Sequence, residues 1–346
     1  MGNLLAYSGT TTKIRAIRSR LLTSGDYRQL SAMPTVTEAL AYLKRQPGYR
    51  ELFANVDESS LHRSDIEKML TNAIYMDFQN IYRFSSIKQR NFLDLYFHRY
   101  EVSVLKTCLR MVFDHRDVAL DLKIFEDFFQ KHSDICLRRV SESRTIGEFV
   151  ANLKGSIYYD ALTRLSAIKS PTLWDYEMAM DLFYFQWFFK AGEKIMKKKE
   201  LLHFKEAYGT KIDLLNIMWI YRSRHFFHME TAAIYAHLIP VLYRLKQDDI
   251  KAMVEADNPD AFSSAVRHTC YGRRFPDFSA AHQQETYSRI RQQVQHKAAA
   301  KDPYSVATVI SYLYDKEHEI DKITTVLECV RYGLSQEETL KYIKGV

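Results

Sequence analysis

The chain has 346 residues, 47% of them hydrophobic and 26% charged, which is enough apolar material for a full core and too much for global disorder. Its formal charge of +7, from 49 basic and 42 acidic residues, is spread along the chain. A basic balance of that size fits nucleic acid, anionic lipid or an acidic protein and does not choose among them.

Only 11 Gly and 7 Pro accompany 23 Tyr and 20 Phe. That balance suits long, aromatic-packed helices better than turn-rich β structure, so the expected fold is all-α. Four cysteines, Cys108, Cys136, Cys270 and Cys329, stand far apart without CxxC spacing, which argues against a disulfide framework or a Cys-rich zinc site. The opening Met-Gly-Asn-Leu-Leu-Ala has no basic leader, so no signal peptide is expected. The densest apolar window, Leu182 to Phe189, is broken by Gln186 and is far short of the ~20 residues that span a bilayer. A cytoplasmic protein without a transmembrane segment is expected.

The first helix is predicted over Lys13 to Leu22, with Ile14, Ile17, Leu21 and Leu22 on one face and Arg15, Arg18 and Arg20 largely off it. Those arginines form either a solvated face or a surface for an acidic partner. Thr35 with Glu38 makes a capping box that starts a helix through Ala39, Leu40 and Leu43. Ser64 with Glu67 is expected to cap a helix through Leu70, Ile74 and Phe78. Pro171 and Thr172 lead into an aromatic run ending at Phe189, which reads as a helix buried between neighbours. Gln283 to Lys301 is polar and basic and is expected to be an exposed helix or loop. Near the end, Ile320, Ile323, Leu327 and Val330 share one helical face. Gly333 then suits a left-handed stop, and Ser335 with Glu338 caps a last short helix.

Two patterns recur about every third of the chain. A capping oxygen, an acid three residues later and a tyrosine eleven residues after the acid occur at Thr35–Glu38–Tyr49, Thr145–Glu148–Tyr159 and Asp257–Asp260–Tyr271. A helix-opening motif recurs at Glu101-Val-Ser-Val-Leu, Lys211-Ile-Asp-Leu-Leu and Glu319-Ile-Asp-Lys-Ile. The period exceeds that of ordinary solenoid repeats, so three tandem helical domains are expected, at 1–115, 116–228 and 229–346.

Chemistry-bearing motifs are sparse. There is no Gly-x-x-x-x-Gly-Lys phosphate loop and no His-Glu-x-x-His helix. His225 and His228 share a face without an evident third metal ligand, and Glu200-Leu-Leu-His203 lacks the second copy that a di-iron bundle requires. Asp248-Asp249 reads as a helix N-terminus, and Asp114-His-Arg-Asp117 as a loop or cap. No catalytic, cofactor-binding or metal-ligating residue is therefore assigned. A binding or mechanical part is expected. A helical-repeat protein gripping nucleic acid through Arg15, Arg18, Arg20 and Lys197 to Lys199 is the alternative, and an enzyme whose groups meet only in three dimensions is a third.

Glu319-Ile-Asp-Lys-Ile-Thr-Thr-Val-Leu-Glu-Cys-Val-Arg-Tyr-Gly-Leu-Ser335 resembles the C-terminal signature of the C subunits of V/A-type ATPases, themselves similar to the d subunit of the vacuolar ATPase. The likeness extends to Glu101-Val-Ser-Val-Leu-Lys-Thr-Cys-Leu-Arg110 and to Lys13 to Leu22 followed by Asp26-Tyr27, and so spans the chain. Cys329 stands where the resemblance leads one to expect glycine. The resemblance implies three similar helical domains in a pseudo-threefold funnel and a non-catalytic role without cofactors. The implied place is on the cytoplasmic face of the membrane rotor ring of proteolipids, with the membrane stator as a further contact. The implied partners are the D and F subunits of the central shaft, whose tip the funnel receives, and neither nucleic acid nor a small-molecule substrate. Torque would pass through it to drive transport of protons or sodium ions.

Overall fold

Caps set the helix boundaries in the computed structural model, which describes residues 2–115, 122–166, 170–279 and 282–344. The described residues form α-helices without a β-strand. Four helices lead: α1 (Gly2–Arg18), α2 (Ser24–Ser31), α3 (Val36–Arg45) and α4 (Arg63–Arg83). Then come α5 (Ile87–Phe113), α6 (Lys123–His132), α7 (Leu137–Ser141), α8 (Ile146–Asn152) and α9 (Tyr159–Ser166). They are followed by α10 (Leu173–Ile195), α11 (Lys198–Phe204), α12 (Thr210–His225) and α13 (Thr231–Ala236), and by α14 (Gln247–Val254), α15 (Pro259–His268) and α16 (Cys270–Arg274). The last three are α17 (Gln283–Lys301), α18 (Val306–Arg331) and α19 (Gln336–Tyr342). A π-helical turn, Lys205–Gly209, joins α11 to α12.

Most caps fall where the sequence puts them. Thr35 and Thr145 each accept the backbone N–H of the glutamate three residues on. Thr172 with Asp175 and Ser335 with Glu338 form reciprocal boxes. Gly333 sits at φ +68°, Leu334 N–H reaches back to the Cys329 carbonyl, and Gly333 N–H reaches Val330. That pair of bonds closes α18 in the left-handed manner that favours glycine.

Three boundaries differ from expectation. The α4 cap is His62 with Asp65, not Ser64 with Glu67, because Ser64 is already inside the helix. The α15 cap is Asn258, not Asp257: Pro259 occupies the first helical position, where its missing N–H is harmless, and Asp257 pairs with Arg224. The first helix begins at Gly2 and ends at Arg18, so Leu21 and Leu22 lie beyond it.

The chain divides into two units, Met1–Gln89 with His282–Val346, and Arg90–Ala281. In the first, α18 is the central helix, with α1, α2, α3, α4, α17 and α19 packed against it. Val306, Ile310, Leu313, Ile320, Ile323 and Leu327 are among its buried side chains. Burying each such side chain contributes roughly 1.5–3 kcal/mol relative to exposure. Helix α17 lies along α18 and buries Thr286, Ile290, Val294 and Gln295, so Gln283 to Lys301 is a packed helix rather than an exposed one.

The second unit is packed with aromatic rings. Tyr176, Tyr184, Phe188 and Phe189 of α10 are buried, while Phe183, Phe185 and Trp187 on its other faces are only half-buried. Gly192 of α10 lets the Phe204 ring lie against the backbone, since a Cβ there would fall 2.0 Å from Phe204 Cζ. Phe204 and Phe188 in turn pack around Tyr208, the first tilted and the second edge-on, at 5.0 and 4.7 Å between ring centroids.

Candidate functional site

The recurring patterns meet in three dimensions at buried acids. On α18, Glu319 lies where that helix faces α2 and α3. Tyr49, fully buried after α3, donates its hydroxyl to Glu319 Oε1 at 2.5 Å, and the Leu22 N–H reaches Oε2 at 2.5 Å. Lys316 Nζ, also buried, donates to Glu319 Oε1 at 3.0 Å and to the Tyr49 hydroxyl at 3.1 Å, with Asp77 3.9 Å away. The carboxylate thus closes the chain that enters α2 and the turn that leaves α3 onto one helix.

The second unit holds two counterparts. Asp213 on α12 accepts the N–H groups of Tyr243, Arg244 and Leu245 at 3.0, 2.7 and 3.2 Å and the Tyr271 hydroxyl at 2.8 Å. Glu101 on α5 accepts the Ser133 hydroxyl, with His98 Nδ1 2.8 Å away, and its charge acts on the buried Tyr158, whose hydroxyl donates to the His98 carbonyl at 3.4 Å. In all three, an acid buried on a long helix lies near a buried tyrosine that follows a capped short helix, and in two of them it receives the tyrosine hydroxyl.

The two repeats do not hold to one register. The tyrosine of the second copy is Tyr158, fully buried, and not Tyr159, which begins α9 half-exposed. The stretch is shorter there, because α8 ends after 7 residues whereas α3 runs for 10. In the motif Lys211-Ile-Asp, the acid of the contact is Asp213, two residues after the position that aligns with Glu101 and Glu319. Lys211 instead lays its ammonium 5.1 Å from the Phe185 ring centroid. The π-helical turn just before α12 changes the register in which that helix meets its neighbours.

Burial dominates the electrostatics of these contacts. It pushes the Asp213 carboxyl above its ordinary value, against the four hydrogen bonds that favour the charged form. The Tyr49, Tyr158 and Tyr271 phenols are raised by burial and then by their acids, so each stays a hydroxyl and donates. Nothing in the pairing of residues so far apart was legible in the sequence beyond the two separate repeats.

The basic residues of the N-terminal stretch take different roles. Arg18 turns inward, forming an ion pair with Asp315 and donating to the Ser311 hydroxyl at 3.1 Å, so it is a packing residue of α1 on α18. Arg15 and Arg20 remain exposed, as do Lys197, Lys198 and Lys199. His225 rests against Tyr221 and Phe262 with its Nε2 enclosed, while His228 is exposed at φ +48°. Asp249 accepts the Lys246 N–H at the start of α14, as a helix N-terminus should. Of the Asp114–Asp117 cluster, Arg116 and Asp117 lie outside the described residues. Among the described residues, no group of three or more His, Cys, Asp and Glu is placed to hold a metal ion.

His318 provides a pH test of the packing around α18. Its ring stacks on Tyr314 at 5.4 Å, and burial, then the charge of Lys322, lowers its pKa to about 4. A folded-state value below the unfolded 6.5 means that the folded protein binds fewer protons. The stabilising contribution is therefore complete above pH 6.5 and is lost as pH falls from 6.5 towards 4. Allowing for solvent screening at a half-buried site, wild type should lose about 1–2 kcal/mol more than His318→Gln over that range. Urea unfolding at pH 7, 5.5 and 4.5 measures it; parallel curves for the two proteins would refute the burial of His318.

Fold and contacts together define a class: an all-α protein in which long helices carry buried acids that fasten capped hairpins through tyrosine. By sequence, the chain belongs to the ATP synthase (C/AC39) subunit family, whose model matches residues 10–342. It is 20% identical to the C subunit of the A-type ATP synthase of Thermococcus kodakarensis, over 98% of this chain and 91% of that one. It is 22% identical to the C subunit of the Methanosarcina mazei A-type ATP synthase, over 96% and 91% of the two chains. With its counterpart in Haloferax volcanii the identity is 23%, over 94% and 93%.

Proposed function

We propose that this chain is a non-catalytic coupling component of a rotary ATPase, a socket that joins the central shaft to the membrane rotor ring. The observation that carries the reading is the match of the family along nearly the whole chain, together with relatives of similar length named as C subunits of A-type ATP synthases. The shaft would be the D and F subunits, and the ring the proteolipids, with the membrane stator nearby. The place proposed is the cytoplasmic face of the membrane. Among the described residues, no helix is long and apolar enough to cross a bilayer.

A part that transmits torque must resist twisting. Long helices packed at interior density and fastened by buried charge-assisted hydrogen bonds meet that need. The recurrence of a buried acid near a buried tyrosine at three places further supports three equivalent modules. On this reading, the last module is completed by the first residues of the chain, because Tyr49 closes on Glu319.

The test is to mix the protein with the purified D–F pair and read the product by native mass spectrometry. A one-to-one-to-one complex is expected, and it should weaken as salt rises to about 0.5 M, where screening acts within a few Å. Absence of a complex at low salt, with no docking to the rotor ring either, would overturn the socket reading. Binding that ignores salt would instead mean an apolar interface.

A further inference from the structure

In the first unit, α2, α18 and the C-terminal end of α19 enclose a cleft of about 540 Å³. Arg28 comes from α2, Lys322 from α18, and Lys341 and Lys344 from α19 and the turn after it. Glu337 is the acid in the lining, and it is already paired with Lys341 at 2.8 Å. Arg28, Lys322 and Lys344 have no ion-pair or hydrogen-bond partner for their charged groups among the described residues. Leu340, Ile343 and the Tyr27 ring supply an apolar lining, and the Lys322 ammonium lies 6.0 Å from the Tyr27 ring centroid.

We propose that this cleft binds a small soluble organic phosphate, with the phosphate held between Arg28, Lys322 and Lys344 and its apolar or aromatic body against Tyr27, Leu340 and Ile343. Lys322 is partly buried on the central helix, where Asp315, itself paired with Arg18, is the acid whose charge acts on it without a hydrogen bond, a position that costs free energy unless a further negative charge arrives. Burial, as the largest influence, holds its amine below the ordinary lysine value. Like charges gathered from three elements around one concavity repel each other until an anion neutralises them, and guanidinium with ammonium groups is the donor set that phosphate oxygens accept. The volume lies in the range of small-molecule sites, and an apolar wall beside a few polar groups is their usual composition. A flat membrane surface would meet the exposed rim but would leave the concavity unfilled.

The experiment uses the full-length protein and isothermal titration calorimetry with 1-naphthyl phosphate, inorganic phosphate and 1-naphthol. Naphthyl phosphate is expected to bind at least ~10-fold more tightly than either of the others, since both halves of the site are engaged. Arg28→Gln and Lys322→Gln should each weaken it about 10-fold, the loss of one charge-assisted contact, while their melting curves match wild type. Lys251→Gln, which removes the same charge from an exposed pair on α14, should bind as wild type does. Should Lys322→Gln fail to fold, Arg28→Gln, on the exposed side of α2, decides alone. No binding of naphthyl phosphate, equal affinity in Arg28→Gln, or a signal only with phosphatidic acid vesicles would overturn the proposal.

Discussion

Glu319→Ala is expected to destabilise the protein by about 3 kcal/mol or more, towards the 3–5 kcal/mol cost of breaking a buried ion pair on one side. Lys316 and Glu319 expose only 3% and 4% of their side chains, and the lysine ammonium lies 4.3 Å from the Tyr49 ring centroid. Removing the carboxylate leaves that ammonium, among the described residues, with Asp77 at 3.9 Å as its acid. It also orphans the Leu22 N–H and the Tyr49 hydroxyl, each at roughly 1–3 kcal/mol if buried without a partner. Asp77 keeps the loss from reaching the top of the range, because it can draw the lysine towards itself and Tyr312.

Controls separate charge from packing. Glu319→Gln keeps an acceptor for Tyr49 and should cost less than alanine. Lys316→Met with Glu319→Leu removes both charges and should recover most of the loss, since an apolar pair of similar volume avoids desolvation. Urea unfolding at pH 7 reads all three. A loss under about 1 kcal/mol for Glu319→Ala would mean that water reaches the pair and that the contact does not fasten α2 and α3 to α18.

The parts of this fold that were legible in the sequence are the local ones. Thr35, Ser335 and Gly333 declare themselves because a cap is decided within about four residues of chain. Asn258 caps α15 one residue beyond the expected position because Asp257 is an equally good capping oxygen, and only the place of Pro259 in the helix separates them. The tyrosine repeat was visible, but its partner was not: Tyr49 and Glu319 are 270 residues apart, and no pattern in one sequence joins them. Arg18 looked like part of a basic outer face for the same reason, since its charge is answered by Asp315 near the other end of the chain. The cleft is also built from both ends, with Arg28 on α2 and Lys344 beyond α19, so no single stretch of sequence announces it.

Gly272→Ala is expected to be the most damaging single methyl addition around the Asp213 contact, with a loss of about 3 kcal/mol or more. A Cβ at Gly272 would lie 2.2 Å from the Val266 carbonyl oxygen and 2.5 Å from Arg267 Cα. Both are backbone atoms of α15, so no rotamer change can relieve the overlap, and overpacking of this kind costs at least the usual 1–3 kcal/mol. Thr269 ends α15 and caps α16, accepting the Gly272 N–H at 3.1 Å, so the two helices cannot move apart without losing that cap as well. Tyr271 is the neighbour that donates to Asp213, and a displaced α16 would pull its hydroxyl from the carboxylate. The readout is therefore both global and local: a lower urea midpoint, and faster hydrogen exchange at the Tyr243, Arg244 and Leu245 amides that share Asp213. Gly155→Ala supplies the contrast, because its φ of +90° strains an alanine while nothing lies within 4 Å of the added methyl. It should cost only about 1–3 kcal/mol, with those three amides unchanged. Equal effects of the two substitutions on the three amides would show that the close approach of α15 and α16 does not hold Tyr271 on Asp213.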